Sequence, residues 1–270
     1  MFALPCEPKH KPDSSYLSRR AKCKPSGLVS VPVSDEHRPT RPWPDSFPGC
    51  PGTVGCVGGC DRVAEARRRL YEDGPQWTRA PGDFERVSLP RSHGDVLRDL
   101  LVSERVGTVV EIGLAYGASA LAIAEALCRA DSPSHVIVDP FQTSDFGGGG
   151  WSTLRAAGPE QSSRLIEEPS SSALPGLVAE GLTADAAFVD GSHRFHEVFL
   201  DLYYLRLLVR PSGLVVLDDH WSPSVAAAAN YFVANTGWRH VPAGGEPRLR
   251  AFRLPHPPFE PAFGDFRPFW

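Results

Sequence analysis

The stretch "VVEIGLAYGASALAIAEAL", residues 109–127, decides the fold. It opens on a short apolar run, passes two glycines, Gly113 and Gly117, and continues in alanine and leucine at helical spacing. That is a buried strand turning into a helix. The same alternation continues downstream. Strands are expected at 107–113, 134–139, 164–168, 185–190 and 213–219, with helices at 118–130, 151–158, 171–181, 195–209 and 224–237. Continuous apolar strands separated by helices imply a parallel sheet covered on both faces. Residues 238–255, "WRHVPAGGEPRLRAFRLP", read as two strands joined by a Gly-Gly turn, an antiparallel hairpin at the sheet edge. The expected fold is a doubly wound α/β, Rossmann-like, seven-stranded sheet. Two further helices precede it, "DRVAEARRRLYEDG" at 61–74 and "HGDVLRDLLVSER" at 93–105, the second spacing Val96, Leu97, Leu100 and Leu101 on one face.

Composition divides the chain. Five of the six cysteines (Cys6, Cys23, Cys50, Cys56, Cys60) and every lysine fall within residues 1–60, a segment rich in Pro, Ser and Gly. Such a segment cannot bury enough surface to offset its ordering entropy. It is read as a disordered tail, or as upstream sequence read in frame ahead of a start near residue 60. The spacing of Cys50, Cys56 and Cys60 lacks the paired knuckles of common zinc sites. The domain is expected over 61–254, followed by an aromatic, Pro-rich tail at 255–270 that packs back as a lid or forms an oligomer contact. A homo-oligomer is left open. The net charge of -4, with no basic stripe after the first quarter, argues against nucleic acid or an anionic membrane as partner. No apolar run reaches the roughly 20 residues of a membrane span, and the first residues do not resemble a secretory signal. A small-molecule substrate and a cytoplasmic location are the expectations that remain.

In sheets of this kind ligands bind beyond the carboxyl ends of the strands. Gly113 and Gly117 permit close backbone approach there, and the following helix offers its N-terminus. The dinucleotide pattern G-x-G-x-x-G is missing, which disfavours an NAD oxidoreductase. The loop is E-x-G-x-x-x-G, and its leading Glu111 repels a pyrophosphate but suits a sulfonium or an amino acid. Asp139 ends the second strand 22 residues past Gly117, where a carboxylate can accept ribose hydroxyls. A nucleoside cofactor without a diphosphate follows, namely S-adenosylmethionine.

These residues resemble the class I S-adenosylmethionine-dependent methyltransferases, and within them the catechol O-methyltransferase-like, metal-dependent O-methyltransferases. The similarity covers about residues 94–220. It implies that Glu111 and Gly113 lie near the methionine moiety, Ser119 near its carboxylate and Asp139 on the ribose. "LIEEPSSSALPGL" is similar to the family's third strand and adenine loop, placing Ser170, with Ser171, near the adenine.

Two strands end in acid: "DAAFVDGSH" at 185–193 and "GLVVLDDH" at 213–220. In this architecture they are neighbours, so Asp190, Asp218 and Asp219 converge above the sheet. Close carboxylates raise one another's pKa, and a divalent cation relieves the repulsion. Oxygen ligands with room for water and substrate suit Mg²⁺. The resemblance implies the same ligand positions. A metal that binds two adjacent substrate oxygens would lower the pKa of the attacking one and align it with the sulfonium methyl. His193 stands where the catechol enzymes carry a catalytic lysine and is the expected general base, with His196 and His220 as alternatives. Capping of the next helices is the competing explanation of the aspartates, but it does not account for two in a row. The run Gly147–Gly150 is expected to form a mobile lid. Two other readings stay open: a metal-independent methyltransferase, and a non-methylating hydroxylase or cofactor-binding protein on the same fold.

Overall fold

A computed structural model describes residues 55–243 and 248–269, with side chains from Gly59 onward. The expectations for residues 1–54 lie outside the described residues. Three helices come first: α1 (Gly55–Asp73), α2 (Asp83–Val87) and α3 (Arg91–Ser103). Then follow β1 (Thr108–Ile112), α4 (Ala118–Leu127), β2 (Ser134–Val138), α5 (Gly149–Ala157), β3 (Ser163–Ile166), α6 (Ser170–Ala179), β4 (Ala184–Val189), α7 (Phe195–Leu208), β5 (Val209–Leu217), α8 (Pro223–Thr236), β6 (Arg239–Val241) and β7 (Arg250–Arg253). The sheet order is β3-β2-β1-β4-β5-β7-β6. β1 to β5 run parallel, while β7 is antiparallel to both β5 and β6. The expected architecture is the observed one.

Residue alternation along each strand assigns the layers. Val110, Ile112, Val138, Val189, Val215 and Leu217 pack beneath α6, α7 and α8 with Leu174, Leu202, Leu205 and Phe232. On the opposite face Val109, Phe188 and Val216 meet Leu97, Leu101 and Ile123 of α3 and α4. Ile137 extends that face under α1 and α5 through Val63, Leu70 and Leu154. The order reverses between β1 and β4, so the crevice where ligands bind in such sheets opens above Ile112 and Val189. Pro223 at the start of α8 and Gly237 at its end, φ 76°, delimit that helix. Residues 218–222 are thereby left as the loop that crosses the crevice.

The first helix begins at Gly55, six residues ahead of the expected boundary. It is joined to the end of α4 by a Cys60–Cys128 disulfide across 68 residues, a pairing the cysteine spacing alone did not suggest. The tail packs back against α8: Asn235 donates to the Arg267 carbonyl at 3.0 Å and accepts from its N–H at 2.7 Å, and Phe269 meets Tyr231. Those contacts lie at the end of α8 remote from the crevice. Among the described residues, no helix is long and apolar enough to cross a membrane.

Asp201 is a buried carboxyl outside the crevice. Burial pushes Asp201 of α7 up to about 7, opposed by a hydrogen bond from Ser170 and reinforced by the Glu197 charge. The folded value lies above the unfolded one, so the native state holds more protons between roughly pH 4 and pH 7 and loses stability as pH rises through that window. Asp201→Asn should therefore raise Tm at pH 8 and leave it nearly unchanged at pH 4, by calorimetry. Equal shifts at both values would show that the Asp201 charge is not the cause.

Candidate active site

β4 and β5 pair in register through Val189 and Leu217. Asp190 N–H donates to the Ile112 carbonyl at 2.8 Å and Asp218 N–H to the Val189 carbonyl at 3.0 Å, so the sheet ladder carries both residues to the same height. Asp219 then turns into the left-handed region, φ 51°. Aspartate tolerates that conformation better than most side chains. The turn aims its carboxylate back over the crevice, where Oδ2 lies 2.7 Å from His193 Nε2 and Oδ1 accepts from Trp221 Nε1 at 2.8 Å. Ser224 holds the loop carrying His193 by donating to its carbonyl. Ligand atoms of Asp190, His193 and Asp219 all fall within 4.8 Å of one another.

Asp218 goes elsewhere. Its buried carboxylate receives Arg248 Nε at 2.9 Å on both oxygens and an Arg248 terminal nitrogen at 2.6 Å on Oδ2. Arg248 Nε also lies 3.0 Å from Asp219 Oδ1. The structure thus brings together Asp190, Asp219 and His193, and turns Asp218 to a guanidinium. Arg248 escaped the sequence reading because it lies 30 residues from Asp218. The signal was present, since a β7 strand antiparallel to β5 must bring the residues just before it level with the end of β5.

Among the described residues no hydrogen bond reaches the Asp190 side chain. Burial pushes its carboxyl well above the usual carboxylate range; the Asp218 and Asp219 charges raise it further, and Arg248 opposes them. The alternative histidines do not join the cluster. His220 turns to Phe252 on β7, and burial, then Arg250 and His240, hold its pKa down. His196 is exposed beside Glu197.

The loop from β1 to α4 takes positive φ at Gly113 (93°), Ala115 (46°) and Gly117 (88°). At Gly113 a Cβ would lie 2.2 Å from the Asp190 carbonyl oxygen, so glycine is required for β1 to approach β4 this closely. Asp139 secures the loop. Its Oδ2 accepts from the N–H groups of Leu114 (3.0 Å) and Ala115 (2.9 Å) and from Gln142 (3.2 Å), while Oδ1 accepts from Phe141 N–H at 2.9 Å. Glu111 is likewise engaged, accepting from Ser119 Oγ at 2.6 Å and facing His135 Nε2 at 2.8 Å, all under α4. Ser170 bonds Asp201 in the α6–α7 packing. Glu111, Ser119, Asp139 and Ser170 therefore spend their polar atoms on the fold in this state, and Gly113 and Gly117 shape the loop.

The end of the glycine run is packed at Gly150, while Gly148 and Gly149 have open space around them. Gln142, fully buried, donates to the Ala115 carbonyl at 2.8 Å and accepts from Trp151 N–H at 3.2 Å. A Cβ on Gly150 would lie 2.3 Å from the Ala115 oxygen. Gly150 lets α5 abut the β1–α4 loop.

Residues 110–220 match the model of a family described as a methyltransferase domain. Over those residues the chain is similar to a methyltransferase domain, set on the Rossmann-like sheet described above. The match starts inside β1 and ends at His220, so it spans the loop and both acidic strand ends. No curated protein matches the chain. Among solved structures the domain is similar to the O-methyltransferase TomG of Streptomyces achromogenes in complex with SAM, at 17% identity and TM-score 0.51, over 72% of this chain and 89% of that one. It is similar to the SAH-bound Podospora anserina methyltransferase PaMTH1, at 16% identity and TM-score 0.54, over 72% and 88%. An O-methyltransferase of Bacillus cereus in complex with SAH aligns at 12% identity and TM-score 0.50, over 73% and 90%. At such identities the likeness concerns the fold of the methyltransferase domain.

The Asp139 bonds make a test. Asp139→Ala leaves buried N–H groups unpaired and should cost the unliganded protein about 3 kcal/mol, read by urea unfolding. A residue serving only a bound ribose would leave that stability where it was.

Proposed function

We propose that the methyltransferase domain transfers the methyl group of S-adenosylmethionine to an oxygen of a small molecule with adjacent hydroxyls, assisted by a divalent cation such as Mg²⁺. The observation that carries this reading is the convergence of Asp190, Asp219 and His193 at the mouths of β4 and β5. Structural neighbours named as O-methyltransferases support oxygen as the acceptor atom.

The donor set was tested against a cation. Asp190 offers a carboxyl that no described donor satisfies, and burial, then the Asp218 and Asp219 charges, make its ionised form costly without a further cation. Asp219 lies beside it. Hard oxygen donors of this kind fit Mg²⁺, so Asp190 and Asp219 would hold the ion. Asp218 does not fit the set while Arg248 occupies both of its oxygens. When bound, the cation supplies Lewis acidity that eases deprotonation of a substrate hydroxyl. S-adenosylmethionine belongs in the crevice beyond β1 and β4, bounded by the Gly113–Gly117 loop. In this reading Asp139 serves the cofactor by fixing that loop.

His193 is the base. Asp219 holds one imidazole nitrogen, which fixes the tautomer and leaves the other nitrogen to take the hydroxyl proton. The oxygen–methyl bond forms as the sulfur–methyl bond breaks, the sulfonium leaves as a neutral thioether, and the proton rests on His193. Asp219 stabilises the imidazolium so formed. His193→Ala should lower kcat by roughly 10²- to 10⁴-fold, without loss of folding stability, on a panel of catechols and vicinal diols followed by mass spectrometry. Removing divalent ions with a chelator should abolish transfer. Undiminished transfer in chelator would select the metal-independent reading.

A further inference from the structure

At the mouths of β4 and β5 three carboxylates lie near the Arg248 guanidinium, and the guanidinium is not shared equally. Arg248 approaches Asp218 through three contacts and Asp219 through one. The Asp218 side chain is wholly buried, whereas a quarter of the Arg248 side chain remains exposed. A carboxylate held in that way can bind a cation only by giving up its charge-assisted hydrogen bonds. We propose that Arg248 is a positioning residue that withdraws Asp218 from the cation site and so sets its charge and ligand number, leaving Asp190 and Asp219 as the carboxylate ligands. The proposal rests on the cation reading above.

Charge balance supports it. With a divalent cation bound, Asp190 and Asp219 face it with two negative charges while Arg248 answers the charge of Asp218. Without Arg248 the charge of Asp218 would be left buried and unpaired. Geometry supports it too. The Arg248 carbonyl accepts His220 N–H at 2.9 Å, so the backbone carrying the guanidinium is fastened one residue beyond Asp219. Arg248 thus acts on both aspartates from a fixed position, holding one back and steadying the other toward His193.

This arrangement makes an unusual demand on mutants. Loss of an ordinary structural arginine loosens a site. Loss of Arg248 should tighten this one toward cations, because Asp218 is released to join it. Mn²⁺ serves as the probe, with free ion counted by electron paramagnetic resonance and folding checked by circular dichroism. Asp218→Asn should bind Mn²⁺ within about threefold of wild type, Arg248→Gln at least roughly tenfold more tightly, and the double variant near wild type again. Weaker or unchanged binding in Arg248→Gln, or a tenfold loss in Asp218→Asn, would overturn the proposal. Should Arg248→Gln fail to fold, Asp218→Asn alone decides. Mn²⁺ bound by Arg248→Gln but not by wild type would uphold the role of Arg248 and defeat the cation reading. No binding by either would defeat both.

Discussion

The approach of β1 to β4 at Gly113 governs the arrangement of the crevice. With a Cβ 2.2 Å from the Asp190 carbonyl, any other residue would push the two strands apart at their carboxyl ends. That contact lies at the point where the strand order reverses. It sets the β1–α4 loop beside the residues that follow β4. The loop must then return to α4 through two more left-handed residues, Ala115 and Gly117. An alanine there is strained, and the hydrogen bonds from Leu114 and Ala115 to Asp139 offset the strain. Gln142 and Gly150 complete the brace from the α5 side. The close contact at one glycine thus explains why so many polar groups below the crevice are committed to backbone.

The acidic residues divide by what donors each one meets. Glu111 faces Ser119 and His135, Asp139 faces amides, Asp218 faces Arg248, and Asp201 keeps Ser170. Glu111, Asp139 and Asp218 are each met by donors or cations of the chain, while Asp201, outside the crevice, keeps one buried oxygen without a partner. Within the crevice, Asp190 is the carboxyl that no described donor meets. The second carboxylate beside it, Asp219, is oriented by Trp221, Arg248 and His193, so its direction is fixed although its charge is shared. The loop between β5 and α8 aims that second acid by its left-handed turn at Asp219.

The fold was legible because hydrophobic period and glycine position report it locally. Val109 to Ile112 alternate between two buried faces, and Pro223 and Gly237 mark their helix by residue type alone. The chemistry was legible only as residue type. Asp218 and Asp219 are adjacent in sequence and chemically identical, yet one turns to an arginine and the other to a histidine. Their difference comes from φ at Asp219 and from the register of β7, neither of which is written near the aspartates. Likewise Asp139 reads as a free strand-end acid until the amides of Leu114 and Ala115 are seen to point at it. At Gly150 composition reports only the lack of a side chain, and the packing against Ala115 reports why it is needed.

A strand pairing can therefore edit an active site without touching its motif. The DDH sequence after β5 would suit a three-carboxylate cation site, and nothing in residues 185–220 prevents it. The change comes from the edge hairpin, where Arg248 sits two residues before β7 and is carried to Asp218 by the antiparallel register Leu217 to Arg250. A buried ion pair of this kind is worth little net stability, since desolvation of both charges opposes the attraction. Its consequence is directional. It fixes which of two neighbouring acids faces the crevice, and the same guanidinium that removes one ligand steadies the acid that holds the histidine. In the proposed reading, the β4–β5 end is for that reason tuned by a residue that lies just ahead of β7 and outside the strands that frame the crevice.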